Sequence, residues 1–126
     1  MSKIIINSIK APQPIGPYSQ AILAGNTLYV SGQIAIDPST GNMVTGDIVS
    51  ETQRVMNNIR EILKEAGMDF PNVVKCGIFV KDLNNFATIN KVYGEYFSSA
   101  PPARETVEVS RLPKDVNVEI SCIAVK

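Results

Sequence analysis

The chain has 126 residues, 44% hydrophobic and 19% charged, with twelve basic and twelve acidic side chains and no histidine. That length predicts one domain, residues 1–126, burying about two-thirds of the surface its unfolded form exposes. Zero formal charge excludes a global field drawing it to nucleic acid or anionic membrane, and the missing histidines exclude Ser-His-Asp triads, Cys-His dyads and histidine-ligated zinc.

Ile4-Ile5-Ile6 suits a short strand, and the segment from Ala11 to Pro17 carries too many prolines for helix or central strand. This loop ends at Tyr18, a residue type that commonly buries its ring and keeps its hydroxyl at the edge. Residues 19–23 and 27–31 read as two strands joined at Gly25-Asn26, a two-residue hairpin signal. Ser31-Gly32-Gln33 then interrupts the apolar run, and a glycine there marks a bulge or a close approach by a neighbour or ligand.

Asp47 is the expected N-cap of a first helix, with Gly67 in the left-handed position past its end. Between them Ile48, Thr52, Val55, Met56, Ile59, Ile62, Leu63 and Ala66 recur at three- and four-residue spacing, one stripe for a core. Residues 73–80 show little alternation, as expected of a central strand covered on both faces. Cys76 and Cys122 lie in such apolar runs, too far apart for a CxxC motif, and are expected as buried free thiols. A second helix is predicted to begin near Asp82 or Asn84, with Phe86, Ile89, Tyr93, Tyr96 and Phe97 on its apolar stripe and Asn90 as a polar intruder beside them.

Pro101-Pro102 punctuates the approach to a last pair of strands. Arg104, Thr106 and Glu108 alternate with Val107 and Val109; beyond a turn at residues 111–115, Val116, Val118 and Ile120 alternate with Asn117, Glu119 and Ser121. A hairpin pairing Val109 with Val116 sets Val107 opposite Val118 and Glu119 opposite Thr106. Arg104, Thr106 and Glu119 then share a polar face within roughly 8 Å, the diagonal spacing across strands.

The order of elements predicts an α+β fold: a mixed sheet with two helices on one face and at least one parallel strand pair. The uncovered face, with Tyr29, Ile34 and Ile36, calls for a symmetric homo-oligomer. No apolar span near 20 residues occurs, so a cytoplasmic location is expected. No GxG occurs, so no nucleotide cofactor is expected; no other cofactor and no metal is expected either. An arginine fork suits a small carboxylate, and a nearby glutamate suits a water-activating base; lacking histidine, the feasible chemistry is attack on an already activated electrophile such as an imine. The charge of Arg104 is expected to keep Glu119 ionised. On pattern alone an exposed Arg–Glu pair on an edge hairpin is the commoner arrangement.

Five separated motifs resemble the RidA (YjgF) family of reactive intermediate deaminases: Ile15-Gly16-Pro17-Tyr18-Ser19-Gln20, Val30-Ser31-Gly32-Gln33, residues 80–90 from Val80-Lys81-Asp82 to Ile89-Asn90, Pro102-Ala103-Arg104, and Val107 through Arg111-Leu112-Pro113-Lys114-Asp115. The resemblance spans almost the whole chain. It implies a chorismate-mutase-like homotrimer with clefts between subunits. The implied reaction is hydrolysis of 2-iminobutanoate and 2-iminopropanoate, released by pyridoxal-phosphate-dependent serine/threonine dehydratases, to 2-oxo acids and ammonia. In family terms Arg104 clamps the substrate carboxylate, Glu119 positions water with help from the Thr106 carbonyl, and Tyr18, Ser31, Gly32, Phe86 and Asn90 line the cleft. Many bacterial relatives carry cysteine where this chain has Thr106, which speaks against a role needing a thiol there. Endoribonuclease or translation-inhibitor activity, and non-catalytic binding of small carboxylates, are the alternative readings.

Overall fold

A computed structural model describes residues 2–126. Six strands form one sheet: β1 (Lys3–Ile6), β2 (Ala21–Ala24), β3 (Thr27–Gln33), β4 (Val73–Val80), β5 (Ala103–Glu108) and β6 (Val118–Val125), in the spatial order β1-β2-β3-β6-β4-β5. Helices α1 (Ile48–Glu65) and α2 (Phe86–Gly94) pack on one face, and β4 and β5 are the parallel pair. The mixed α+β sheet with helices on one side is thus as the order of elements predicts.

Local signals translate directly. Asp47 accepts a hydrogen bond from the Ser50 amide (2.8 Å), and Gly67 has φ 73° just past the helix. The β2–β3 hairpin turns at Gly25-Asn26, with Gly25 at φ 61°. The register between β3 and β6 shifts between Val30 and Gln33, a bulge where Ser31-Gly32 breaks the run. A 3-10 turn at Leu83–Asn85, capped by Asp82, leads into α2. Leu28, Ile59, Ile62, Leu63, Ile78, Ile89 and Ile120 are buried between sheet and helices, and Cys76 and Cys122 are buried free thiols.

The β5–β6 hairpin does not exist. Strand β4 lies between them, antiparallel to β6 and parallel to β5. Apolar β4 takes the inner slot, and the charged sequence Ala103–Glu108 is left as the edge strand, where charges discourage further pairing. Val107 consequently lies opposite Phe79, whose other edge meets Glu119, and is 45% exposed, while Arg104 and Thr106 share the helix-side face with Cys76 and Ile78. Strand β4 also alternates: Cys76, Ile78 and Val80 are buried under the helices, whereas Lys75, Gly77 and Phe79 are half-buried on the other face. That other face carries Ile5, Ile22, Tyr29, Phe79, Val107 and Ile123 on neighbouring strands, with Ile5 62% and Tyr29 51% exposed.

The inner strands carry the fold. Ile120→Ala, on the fully buried middle of β6, is expected to lower unfolding free energy by about 2–5 kcal/mol, the usual cost of a large-to-small core substitution, measured by urea denaturation.

Candidate functional site

The residues singled out from the sequence gather into two groups. Tyr18, Ser31, Gly32 and Glu119 line a cavity of about 460 Å³ at the end of β3, whose remaining walls include Pro12, Ile15, Ile34, Ile36 and Pro113. Phe86, Asn90 and Arg104 meet between α2 and the edge strand β5. Arg104 and Glu119 do not meet. Arg104 is level with Cys76 and Cys122, whereas Glu119 is three residues from Cys122 along β6, hence on the opposite face. Two strand spacings, roughly 9.5 Å, also separate β5 from β6.

The cavity wall is held by buried polar contacts. Gln20, 1% exposed, accepts a hydrogen bond from the Ser8 amide (2.7 Å) through Oε1; its Nε2 donates to the carbonyls of Ser8 and Pro12 (both 3.0 Å). This ties the proline-rich loop to β2 and delivers Tyr18, 49% exposed, to the cavity. Ser31 donates its hydroxyl to the Ser19 carbonyl at 2.6 Å. Glu119 packs directly over Gly32: a Cβ there would lie 2.8 Å from Cδ and 3.0 Å from Cγ of Glu119. The glycine therefore provides the space in which the carboxylate rests, the close approach its place in the motif suggested.

Burial raises the Glu119 pKa above the ordinary glutamate value, and no cation among the described residues opposes that shift. The expectation that Arg104 holds Glu119 ionised is corrected accordingly, because β4 separates the two residues.

In the second group the Arg104 guanidinium lies 5.3 Å from the Phe86 ring centroid and 5.2 Å from that of Tyr93, a double cation–π contact. Its Nη1 donates to Asn90 Oδ1 at 2.6 Å. Asn90 is thus the orienter of the arginine, and the exposed guanidinium keeps further donors for an anion. Beneath it the Tyr93 hydroxyl and Thr106 Oγ1 are buried without hydrogen-bond partners among the described residues. Burial, then the Cys76 thiol beside it, pushes the Tyr93 phenol well up, so it stays a neutral donor.

Tyr93 appears in the sequence only as part of an apolar stripe, Gln20 only as the end of a motif, and Glu51 and Asn58 attract no notice there. Glu51 and Asn58 are nevertheless fully buried in α1. Their signal is positional: seven residues apart, both fall on the apolar stripe of that helix, where a polar side chain needs a partner.

The endoribonuclease L-PSP family matches residues 8–126. A RutC family protein of Pyrococcus abyssi is 57% identical over 126 residues, covering 100% of this chain and 99% of the relative. A 2-iminobutanoate/2-iminopropanoate deaminase of Bos taurus is 50% identical over 122 residues, 97% of this chain and 89% of the relative. The solved structure of E. coli TdcF with bound serine superposes with a TM-score of 0.94 at 40% identity, covering 98% of each chain. The chain belongs to the endoribonuclease L-PSP family, which is the RidA/YjgF family its motifs resemble.

Gly32→Ala tests the packing beneath Glu119. The atoms it meets end a flexible side chain, so thermal stability is expected to change by only a few degrees, whereas the displaced carboxylate moves into solvent. Its titration, followed by carbon-detected NMR, is expected to fall back toward that of an ordinary solvated glutamate.

Proposed function

We propose that this member of the RidA/YjgF family hydrolyses 2-imino acids, 2-iminobutanoate and 2-iminopropanoate among them, in clefts between copies of the chain. The observation that carries this reading is the division of the site. A half-buried carboxylate lines one cavity without a cation, and an exposed, stacked arginine waits on the opposite sheet face. Each half lacks what the other offers, and a second copy supplies it. The uncovered face with Ile5, Tyr29, Phe79 and Val107 favours self-association, and a homotrimer is the assembly proposed.

In such a cleft Arg104 of the partner subunit receives the substrate carboxylate through its free donors, with Asn90 and the two rings fixing its plane. Glu119, ionised, takes a proton from water as the oxygen attacks the imine carbon. The tetrahedral adduct then expels ammonia as its nitrogen is protonated, leaving the 2-oxo acid; one water is consumed and no electrons are exchanged. The neutral Thr106 carbonyl is a further acceptor for that water. The proposed reaction needs no cofactor and no metal, and a cytoplasmic setting beside pyridoxal-phosphate-dependent dehydratases is part of the same proposal. The deaminase name carried by the Bos taurus relative and the serine bound in TdcF accord with a small amino- or imino-acid ligand.

Keto-acid release in a coupled threonine dehydratase assay tests the proposal. Arg104→Ala is expected to abolish the acceleration with the oligomer intact. Glu119→Gln is expected to lower turnover by about 10²–10⁴-fold while 2-oxo acids still bind, which separates catalysis from mere carboxylate binding. Because the base acts ionised and its pKa is raised by burial, wild-type rate should fall as pH falls through that value. RNA cleavage that survives Arg104→Ala would lie outside this site.

The shared cleft has its own test. Within one chain Arg104 is too distant to act on Glu119, so Arg104→Ala should leave Glu119's titration unmoved unless copies join. In the assembly, removing the cation is expected to raise the Glu119 pKa further. An unchanged titration in the oligomer counts against the proposed cleft.

A further inference from the structure

We propose that Glu51, on α1, is a positioning residue for Glu119. Glu51 is 0% exposed, and burying a carboxylate in an apolar helix stripe is costly unless its lone pairs are filled. They are: Oε2 accepts from the amides of Asn117 (2.7 Å) and Val118 (3.2 Å), and Oε1 accepts from Asn117 Nδ2 (2.7 Å).

The donors are those of the two residues immediately before Glu119. Strand β6 is paired on its β3 side only from Ile120 onward, opposite Gln33. Beyond that pair β3 has bulged and ended, so the amides of Asn117 and Val118 have no strand acceptor on that side. Glu119 thus sits between the last ladder pair and the Glu51 clamp, and the clamp fixes where its backbone runs past the cavity. Seven residues along the same helix, Asn58 donates to the carbonyls of Ile34 (3.2 Å) and Ile36 (3.0 Å), which line the cavity's other side. Helix α1 therefore holds both walls from behind, and Glu51 holds the one that carries the carboxylate.

This inference rests on the reading that Glu119 acts in that cavity, so its test has one readout that needs no activity. Glu51→Leu removes all three acceptors at similar volume. Glu51→Gln keeps a carbonyl for the two amides; its new NH₂ faces Asn117, whose side-chain amide can turn to present Oδ1. With the oligomer intact, Glu51→Leu is expected to shift the NMR titration of Glu119 and to lower kcat in the coupled imine assay by about 10- to 100-fold, the scale of an ångström-sized misplacement, with KM nearly unchanged. Glu51→Gln is expected to restore both to within about threefold of wild type.

A folded Glu51→Leu with wild-type Glu119 titration overturns the proposal, as does a Glu51→Gln that fails like the leucine variant. If Glu51→Leu does not fold, Asn117→Ala, which deletes one of the three bonds, takes its place; it is expected to shift the Glu119 titration, and no shift overturns the proposal. If wild type hydrolyses no imine, the titration arm still decides about Glu51, and the functional reading alone falls.

Discussion

Strand β4 occupies the slot between β5 and β6, and the arrangement of charge in this fold follows from that placement. Its apolar residues Cys76, Ile78 and Val80 are buried under the helices and paired on both edges, so no polar strand competes for the position. The cost falls on β5, which becomes an edge strand rich in charge, as edges that avoid further pairing require. Arg104 is carried out to that edge, toward α2, while Glu119 remains on β6 facing the other way. A single copy therefore holds the guanidinium and the carboxylate on opposite faces of the sheet, with β4 between their strands.

The two charges are accommodated by opposite means. Arg104 stays solvated and is held flat by Phe86, Tyr93 and Asn90, an arrangement that keeps its fork pre-organised. Glu119 is drawn into the sheet surface over Gly32, and desolvation raises its pKa. The missing side-chain volume at position 32 is what admits the carboxylate, and within one copy burial alone sets the direction of its shift.

What could be read from the sequence divides along the same line. The cap at Asp47, the left-handed Gly67, the Gly25-Asn26 hairpin and the Ser31-Gly32 bulge are encoded within a few residues, and all are present. The pairing of β5 with β6 is a different kind of inference. Period-two alternation says which residues of a strand share a face, but not which strand lies beside it. Residues 104–109 and 116–120 each alternate as expected, yet Val107 faces outward because the neighbour is β4 in parallel, not β6 across a turn. The family resemblance implied roles for Arg104 and Glu119 without needing that register, so what the register takes away is their direct contact within one chain. Glu51 and Asn58 stayed hidden because a helical stripe is read by its apolar members, while their partners are backbone groups distant in sequence.

The cavity and the buried polar groups of α1 have one origin. When β3 bulges at Ser31-Gly32 and ends at Gln33, it leaves the first residues of β6 uncovered. That departure opens the space lined by Ile34, Ile36 and Glu119. It also leaves the amides of Asn117 and Val118 and the carbonyls of Ile34 and Ile36 outside the β3–β6 ladder, and buried groups of that kind must be satisfied. A hydrophobic helix cannot do so. Glu51 supplies acceptors on one side and Asn58 donors on the other, so the polar residues inside the helix stripe are the structural counterpart of the hole in the sheet. Filling that hole by continuing the β3 ladder would make Glu51 an unsatisfied buried carboxylate, and replacing Glu51 with a hydrocarbon would leave the strand bearing Glu119 unanchored.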